Sequence, residues 1–248
     1  CHQPVEKKQL SQWFFKITDY AEQLLDDLAK LPGWPDRVKT MQKNWIGRSE
    51  GLEFGFDVPS LHKKLMVYTT RPDTIYGVTF VVIPPEHPMV EELLKDNPRK
   101  AELEAFCNKV KNTSDIERTS SESEKLGMYA GVDCIHPLTG EKVQIWITNY
   151  VLVDYGTGAV MGVPTGDHRD WLFATKYGIK KILTLQPKDK ELKLEEMTDA
   201  YEDKDGVLVN AGPFTGMEMH KAMKAIIDYM EEKGLGKRRG NYRLRDWL

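Results

Sequence analysis

Residues 154–170 read DYGTGAVMGVPTGDHRD and mark the point where a strand passes into a helix. The glycines Gly156 and Gly158 let the backbone approach a ligand closely, and a short apolar strand follows them. The next turn leads into a helix with Asp167 as its predicted N-cap and Asp170 in its first turn, where both carboxylates favour the positive end of the helix dipole. A carboxylate held at this place is also a ready receptor for the ammonium group of a ligand.

Strands and helices alternate on both sides of this stretch. Runs of β-branched, aromatic or apolar residues bounded by Gly and Pro predict strands at residues 65–70, 79–83, 143–151 and 159–163. Apolar residues at helical spacing predict helices at residues 13–28, 89–94, 101–110, 168–177 and 219–230. Ser11 is the predicted N-cap of the first helix, and Gly234 is predicted to end the last. We therefore predict a mixed α/β fold with a β-barrel-like core of mixed strands, surrounding helices and an N-terminal helical appendage.

The composition is that of an ordinary folded, soluble protein, with a formal net charge of -3 over 248 residues and 40% hydrophobic side chains. No apolar run approaches the ~18 residues that span a bilayer, and no secretory leader opens the chain, so neither a membrane span nor a signal peptide is predicted. The three cysteines are too widely spaced for a disulfide framework, which favours a reducing, cytoplasmic setting, with an organelle as the alternative. The negative net charge argues against non-specific binding of nucleic acid.

Two charged segments have simple interpretations. Residues 187–206 are dense in Lys, Glu and Asp, and we predict a solvated insertion there. Residues 233–245 hold six basic side chains. A solvated linker is favoured for this second segment, and a surface that contacts RNA phosphates without reading their sequence is the alternative.

Residues 68–77 read YTTRPDTIYG and form the second stretch that could carry chemistry. A strand that ends in Thr69 and Thr70 and continues to Arg71 and Thr74 gathers three hydroxyls, one cation and the N–H groups of a turn. They would lie in a small volume at a strand end, where pockets usually form. A polar loop in which Thr74 caps a helix or turn is the alternative.

Several common catalytic signatures are absent from the sequence. It contains no H-E-x-x-H zinc motif, no phosphate-binding P-loop and no G-x-G-x-x-G nucleotide motif. Cys134 and His136 would share one face of a strand and offer two metal ligands, but zinc takes three or four. We therefore interpret them as a buried thiol beside a hydrogen-bonded imidazole.

The two stretches together resemble the threonine-rich and aspartate-bearing motifs of the editing insertion of bacterial-type leucyl-tRNA synthetases. NWIGRSEG at residues 44–51 resembles the strand that leads into this insertion, and NYRLRDW at residues 241–247 resembles the strand that returns to the synthetase core. The HIGH and KMSKS-type signatures of that core are missing. The related isoleucyl and valyl editing domains are the alternative family, but their threonine run usually continues with Pro-Trp-Thr. One departure is Gly166, where family members commonly have histidine.

The resemblance implies a domain division. Residues 1–45 would be a helical segment of a parent synthetase, and residues 46–245 would be an editing domain with hinge strands at about residues 46–56 and 238–248. The chain would then be a module excised from a longer polypeptide, without aminoacylation activity of its own.

The resemblance also implies an activity. Such a domain hydrolyses mischarged tRNA(Leu), which carries isoleucine, valine, norvaline or methionine as an ester on its 3′ adenosine, and spares leucyl-tRNA(Leu). No cofactor or metal is expected for editing, whereas the parent synthetase would use ATP and Mg. The expected partners are the 3′ end of tRNA(Leu) and the rest of the synthetase in cis, in a monomer without membrane contact.

Individual residues receive roles from the same resemblance. Asp170 matches the aspartate that pairs with the α-ammonium group of the substrate, and Thr74 matches the threonine whose methyl group excludes leucine. Residues that match the reacting end, where water is oriented or the tetrahedral intermediate is stabilised, are Thr69, Thr70 and Arg71. Residues that match the pocket wall are Met161 and Val163, for which core packing is the alternative. Residues that match the platform under the adenosine are Leu152, Val153, Asp154 and Tyr155.

Two other classes of function stay open at this point. A metal-dependent hydrolase could use Asp167, His168, Asp170 and His136 as ligands, and it would lose its activity in EDTA. A non-catalytic RNA-binding module is the other class, although the net charge is negative and no aromatic RNA-stacking motif is evident.

Overall fold

The structure is a computed structural model that describes residues 11–114, 118, 123–153 and 156–248. The chain divides into two compact units. The helical unit consists of Cys1–Gly51 and Arg238–Leu248, and the sheet unit consists of Leu52–Lys237. No helix among the described residues is both long and apolar enough to cross a bilayer.

The helical unit contains α1 (Ala21–Asp27) and α2 (Asp36–Ile46). Short 3-10 turns at Ile17–Tyr20 and Leu28–Lys30 flank α1. A small core forms where Ala21, Ile46 and Leu244 are buried together. Burial of these few side chains is what packs the two helices against the end of the chain.

The helix predicted at residues 13–28 begins later than expected. Phe15 forms a β-bridge with Trp247, in which the Phe15 N–H donates to the Trp247 carbonyl over 2.7 Å. This bridge holds the chain extended up to Lys16, which precedes the first helical turn, so the prediction of Ser11 as N-cap is wrong. The sequence prediction also lacks α2, although Asp36 in its first turn and Gly47 after its end, with a φ of 60°, are ordinary helix boundary signals.

The main sheet has seven described strands, five of which lie wholly within the sheet unit. The seven strands are β1 (Ser49–Val58), β2 (Lys63–Thr69), β3 (Phe80–Ile83), β4 (Gly127–Ile135), β5 (Lys142–Thr148), β6 (Val160–Gly162) and β9 (Gly236–Asn241). Their order is β2-β1-β4-β5-β3-β6, with β9 also paired to β1. The β3–β5 pair is parallel, whereas the pairs β1–β2, β3–β6 and β4–β5 are antiparallel.

The two edges of this sheet approach each other without joining. Cα atoms of β2 and β6 come within 8 Å of one another, but no ladder connects these strands in the part of the chain that is described. The mixed α/β class is therefore confirmed, while the sheet is not closed into a barrel.

β4 is the longest of the strands that neither the sequence pattern nor the family resemblance predicted. Gly127, Gly131 and Asp133 all have low strand propensity. The register with β5 shifts between Tyr129 and Asp133, and Gly131 has a φ of 76° at this irregularity. A bulge thus interrupts the alternation by which a strand is recognised.

The helices of the sheet unit follow the predicted ranges closely. They are α3 (Met89–Leu94), α4 (Lys100–Lys111), α5 (His168–Tyr177) and α6 (Met219–Glu232). α6 buries Ala222, Ile226 and Met230 in the main core, and Gly234 follows it with a φ of 66°. A two-stranded ladder of β7 (Leu185–Gln186) and β8 (Val207–Leu208) brackets the charged insertion.

Candidate active site

The threonine-rich stretch forms a 3-10 helix, Pro72–Gly77, directly after β2. The Thr69 hydroxyl oxygen accepts a hydrogen bond from the Arg71 N–H over 3.0 Å. The Thr74 hydroxyl donates to the Arg71 carbonyl over 2.9 Å. Thr69 and Thr74 are buried, whereas Thr70 is exposed. The bond to Arg71 fixes the Thr74 side chain and leaves its methyl group to face a neighbour.

Arg71 is held by an aspartate that sequence reasoning did not single out. Its Nε and Nη2 atoms donate to the Asp73 carboxylate over 3.0 and 2.8 Å, and Asp73 is only 2% exposed. Burial alone would lower the pKa of Arg71, but the bonds and charge of Asp73 raise it, so the guanidinium stays cationic. The signal in the sequence was the Arg-Pro-Asp spacing, which brings both side chains to the same side of a tight turn.

The aspartate-bearing stretch adopts the predicted helix start. Asp167 is the N-cap, and its Oδ1 atom accepts the backbone N–H groups of Arg169 and Asp170 over 2.9 and 3.2 Å. Asp170 turns inward, and its Oδ2 atom accepts the Val163 N–H over 2.8 Å. The Asp170 carboxyl is thereby fixed at the end of β6.

Asp170 is electrostatically unusual. Burial raises the pKa of its carboxyl well above the ordinary value, the negative charge of Asp167 raises it further, and the Val163 N–H and Arg169 oppose this only in part. No ion pair joins Asp170 to a cation within the described residues. A buried carboxylate without a counter-charge is costly, and a bound cation would stabilise it.

The two stretches meet at Val163 and Gly166. A Cβ atom placed on Gly166 would lie 3.5 Å from Thr74 Cγ2 and 3.6 Å from Val163 Cγ1. The Thr74 methyl group and the Val163 side chain therefore flank one small space, and the Val163 backbone touches Asp170. Val163 and Met161 both belong to the main hydrophobic cluster, so packing accounts for their burial.

A glycine-containing loop lies beside the threonine stretch. We call the described residues 149–153 and 156–158 the glycine loop. Gly156 and Gly158 have φ values of 61° and 77°, and a Cβ atom on Gly156 would lie 3.5 Å from Cβ of Tyr68, the residue before Thr69. Leu152 and Val153 are half-buried in this loop, whereas Asp154 and Tyr155 lie outside the described residues.

Most of the charged insertion is exposed to solvent, as predicted, but its end contacts the same region. The Glu202 carboxylate accepts the His168 N–H over 2.8 Å, and the Tyr201 N–H donates to the Thr165 carbonyl over 2.9 Å. Asp199 pairs with the His168 ring over 2.7 Å and raises the pKa of that ring. Residues 199–202 therefore bind the turn that leads to Asp170.

His136 is a structural residue. Its Nδ1 atom accepts the backbone N–H groups of Leu138 and Thr139 over 3.1 and 3.2 Å, so Nε2 carries the proton and donates to the Ile75 carbonyl over 2.8 Å. The Cys134 thiol is buried 3.4 Å from the Val143 carbonyl. This confirms the interpretation of a buried thiol beside a hydrogen-bonded imidazole. In the described part of the chain, no group of three or more His, Cys, Asp or Glu side chains is arranged to hold a metal ion.

Comparison with known proteins identifies one family. A family model described as "Leucyl-tRNA synthetase, editing domain" matches residues 43–231. The whole chain aligns with the leucine–tRNA ligases of Thermotoga maritima, at 51% identity, and Symbiobacterium thermophilum, at 52% identity. It covers 30% and 29% of their lengths.

A solved structure agrees with these relatives. It is the ternary complex of Agrobacterium radiobacter K84 agnB2 LeuRS with tRNA and LeuAMS, which superposes with a TM-score of 0.72 at 33% identity. The superposition covers 95% of this chain and 26% of the other.

Proposed function

The chain belongs to the leucyl-tRNA synthetase editing-domain family, and we propose that it hydrolyses the ester bond between a wrong amino acid and the 3′ adenosine of tRNA(Leu). Its relatives are leucine–tRNA ligases, and its solved neighbour was captured with tRNA. Pockets distinguish side chains that differ by one methylene by only ~1–3 kcal/mol, so a synthetase gains accuracy from a second, hydrolytic site.

One observation carries the proposal, namely the buried Asp170 carboxylate that has no cation partner in the described residues. An aminoacyl ester carries an α-ammonium group, which is the missing cation. Thr74 and Val163 flank the position of Gly166, and the Val163 N–H binds Asp170, so an ammonium bound at Asp170 would place the amino-acid side chain near these two residues.

The hydrolysis needs few additional groups, because an aminoacyl ester is already activated. Water attacks the ester carbonyl, the tetrahedral oxyanion collapses, and the ribose hydroxyl leaves with a proton. The Thr69 hydroxyl oxygen is already an acceptor for Arg71 N–H, so its own O–H is free to donate to the oxyanion or the water. Arg71, kept in place by Asp73, supplies a fixed cation at the same strand end.

Turnover measured in the presence of a chelator distinguishes the proposed hydrolase from a metal-dependent hydrolase and from a non-catalytic RNA-binding module. We expect catalytic amounts of the chain to deacylate many equivalents of isoleucyl-tRNA(Leu), at a rate that EDTA does not change. Release of the amino acid is measured as the loss of acid-precipitable label from the tRNA. A metal-dependent hydrolase would be inactivated by EDTA, and an RNA-binding module would give no turnover at all.

The raised pKa of Asp170 predicts a particular pH dependence. Only the ionised carboxylate neutralises an ammonium group, so kcat/KM for isoleucyl-tRNA(Leu) should rise with pH as Asp170 loses its proton. Asp167→Asn removes a charge that raises this pKa but keeps a good N-cap. We expect the acidic limb of the pH profile to move to lower pH in this variant. An identical limb in both proteins would show that another group titrates.

A further inference from the structure

The end of the charged insertion is bonded to the chain on both sides of the N-cap of α5. We call residues 199–202 the insertion end. Before the N-cap, the Thr165 carbonyl accepts the Tyr201 N–H over 2.9 Å. After the N-cap, the His168 N–H donates to the Glu202 carboxylate over 2.8 Å. Two residues of the insertion end therefore fix the turn from which α5 starts.

The insertion end is itself anchored to the body of the sheet unit. The Tyr201 side chain packs against the main hydrophobic cluster, and its hydroxyl donates to the Asp205 carbonyl over 3.1 Å. Asp205 comes two residues before β8, which pairs with β7. The insertion end thus has a fixed base from which it can hold the turn.

The turn that it holds carries Asp170. Asp170 follows His168 by two residues, in the first turn of α5, and its Oδ2 atom accepts the Val163 N–H over 2.8 Å. The Gly166 N–H donates to the Val163 carbonyl over 3.0 Å. Residues 163–170 therefore form one hydrogen-bonded turn, and a displacement of this turn moves the Asp170 carboxylate with it.

The contacts of the insertion end with His168 add little to the stability of the fold. Glu202 and His168 are both exposed, and water can satisfy a backbone N–H in the first turn of a helix. The pair between Asp199 and the His168 ring has both side chains about half-exposed, and exposed pairs contribute little. What these bonds determine is where the start of α5 lies.

Glu202 also lies within electrostatic reach of the threonine-rich stretch. Burial lowers the pKa of Arg71, whereas the bonds and charge of Asp73 and the charge of Glu202 raise it. One carboxylate of the insertion therefore acts on both stretches that form the candidate site.

We propose that Glu202 is a positioning residue that holds the start of α5 and thereby places the Asp170 carboxylate against the α-ammonium group of the substrate. This inference rests on the proposed function. Glu202 acts through Asp170, so its loss should lower the activity only in a protein whose residue 170 can still bind an ammonium group.

The test is a double-mutant cycle in the full 248-residue chain, with isoleucyl-tRNA(Leu) as substrate at a pH above the acidic limb. In Glu202→Ala we expect kcat/KM to fall roughly tenfold, because small misplacements of a binding group cost up to about a hundredfold. Its melting temperature should stay close to that of the wild type, since the side chain is exposed. Glu202→Ala/Asp170→Asn should lie within about twofold of Asp170→Asn, because residues that act through one another are not additive.

Two further variants separate the hydrogen bond from other effects. Glu202→Gln keeps an oxygen that accepts the His168 N–H, so we expect it to recover most of the activity that alanine loses. Glu196→Ala is the matched control, because it removes another exposed glutamate of the insertion, one that pairs with Lys193. We expect its kcat/KM to equal that of the wild type.

Several results would overturn the inference. They are a folded Glu202→Ala with the wild-type kcat/KM, an equal loss in the glutamine and alanine variants, and a tenfold loss that recurs in the Asp170→Asn background. A wild type without turnover, or an Asp170→Asn variant with near-normal activity, contradicts the proposed function itself. A wild type that turns over and depends on Asp170, but not on Glu202, contradicts this inference alone.

Discussion

Thr74→Ala is expected to make the chain hydrolyse leucyl-tRNA(Leu), which the wild type should spare. The hydroxyl of Thr74 is bonded to the Arg71 carbonyl, so the side chain cannot rotate freely and its methyl group stays beside Val163 and Gly166. Leucine's branched end would overlap this methyl group, whereas alanine leaves room for it. Steric exclusion of this kind is worth a few kcal/mol, so the leucine rate should rise by roughly tenfold to a hundredfold.

Two further substitutions separate the methyl group from the hydroxyl. Thr74→Ser keeps the bond to Arg71 and loses the methyl group, so it should also gain leucine hydrolysis. Thr74→Val keeps the bulk and loses the hydroxyl, so it should still exclude leucine. Thr74→Phe should block every substrate. Rates on leucyl- and isoleucyl-tRNA(Leu) are measured for each protein, together with its melting temperature.

One result would contradict the role of Thr74 in excluding leucine. An alanine variant that is folded and active on isoleucyl-tRNA(Leu), yet shows the wild-type leucine rate, would remove Thr74 from the role. Met161 or Val163 would then be the next residues to vary, since both belong to the main hydrophobic cluster.

Asp170→Asn should abolish most deacylation while the protein stays folded. The amide oxygen still accepts the Val163 N–H, so no backbone donor is left unpaired, but the negative charge is gone. Loss of a charge-assisted contact to the ammonium group costs about 2–3 kcal/mol, which corresponds to a fall in kcat/KM of roughly thirtyfold to 160-fold. Alanine is a poorer choice, because it would leave the buried Val163 N–H without its partner at a cost of about 1–3 kcal/mol.

Asp167→Asn is the matched control for this substitution. It removes a carboxylate three positions earlier, and asparagine remains a good N-cap. At a pH above the acidic limb we expect its kcat/KM to stay close to that of the wild type. Near-normal hydrolysis by a folded Asp170→Asn, or an equal loss in both variants, would contradict a specific contact between Asp170 and the substrate.

Sequence patterning predicted helices better than strands for identifiable reasons. The bounds of α3 agree with the prediction residue by residue, because its apolar residues Met89, Val90, Leu93 and Leu94 fall on one helical face. β4 is hidden by the glycines and the register shift around Gly131. The start of α1 depends on a bridge between Phe15 and Trp247. Contacts between distant residues of this kind leave no periodic signal in the sequence.

The candidate site was predictable as a set of residues but not as an arrangement. Both motifs were recognised, and the N-cap role of Asp167 followed from local rules. The bond from Val163 N–H to Asp170 and the approach of Thr74 to Gly166 require the sheet to bring two stretches together. The hydrogen bond from the His168 N–H to the Glu202 carboxylate was not predictable either, because Glu202 lies in a segment whose composition indicates only that it is solvated.

The central claim is that Thr74 and Asp170 act on one bound amino acid in one site. The most direct test is the rate of leucyl-tRNA(Leu) deacylation by the double variant Thr74→Ala/Asp170→Asn, compared with both single variants. If the leucine admitted by Thr74→Ala is anchored through its ammonium group by Asp170, the double variant should lose this new activity and fall to the level of Asp170→Asn. A double variant that hydrolyses leucyl-tRNA(Leu) as fast as Thr74→Ala would contradict the account, because the gained activity would then not depend on Asp170.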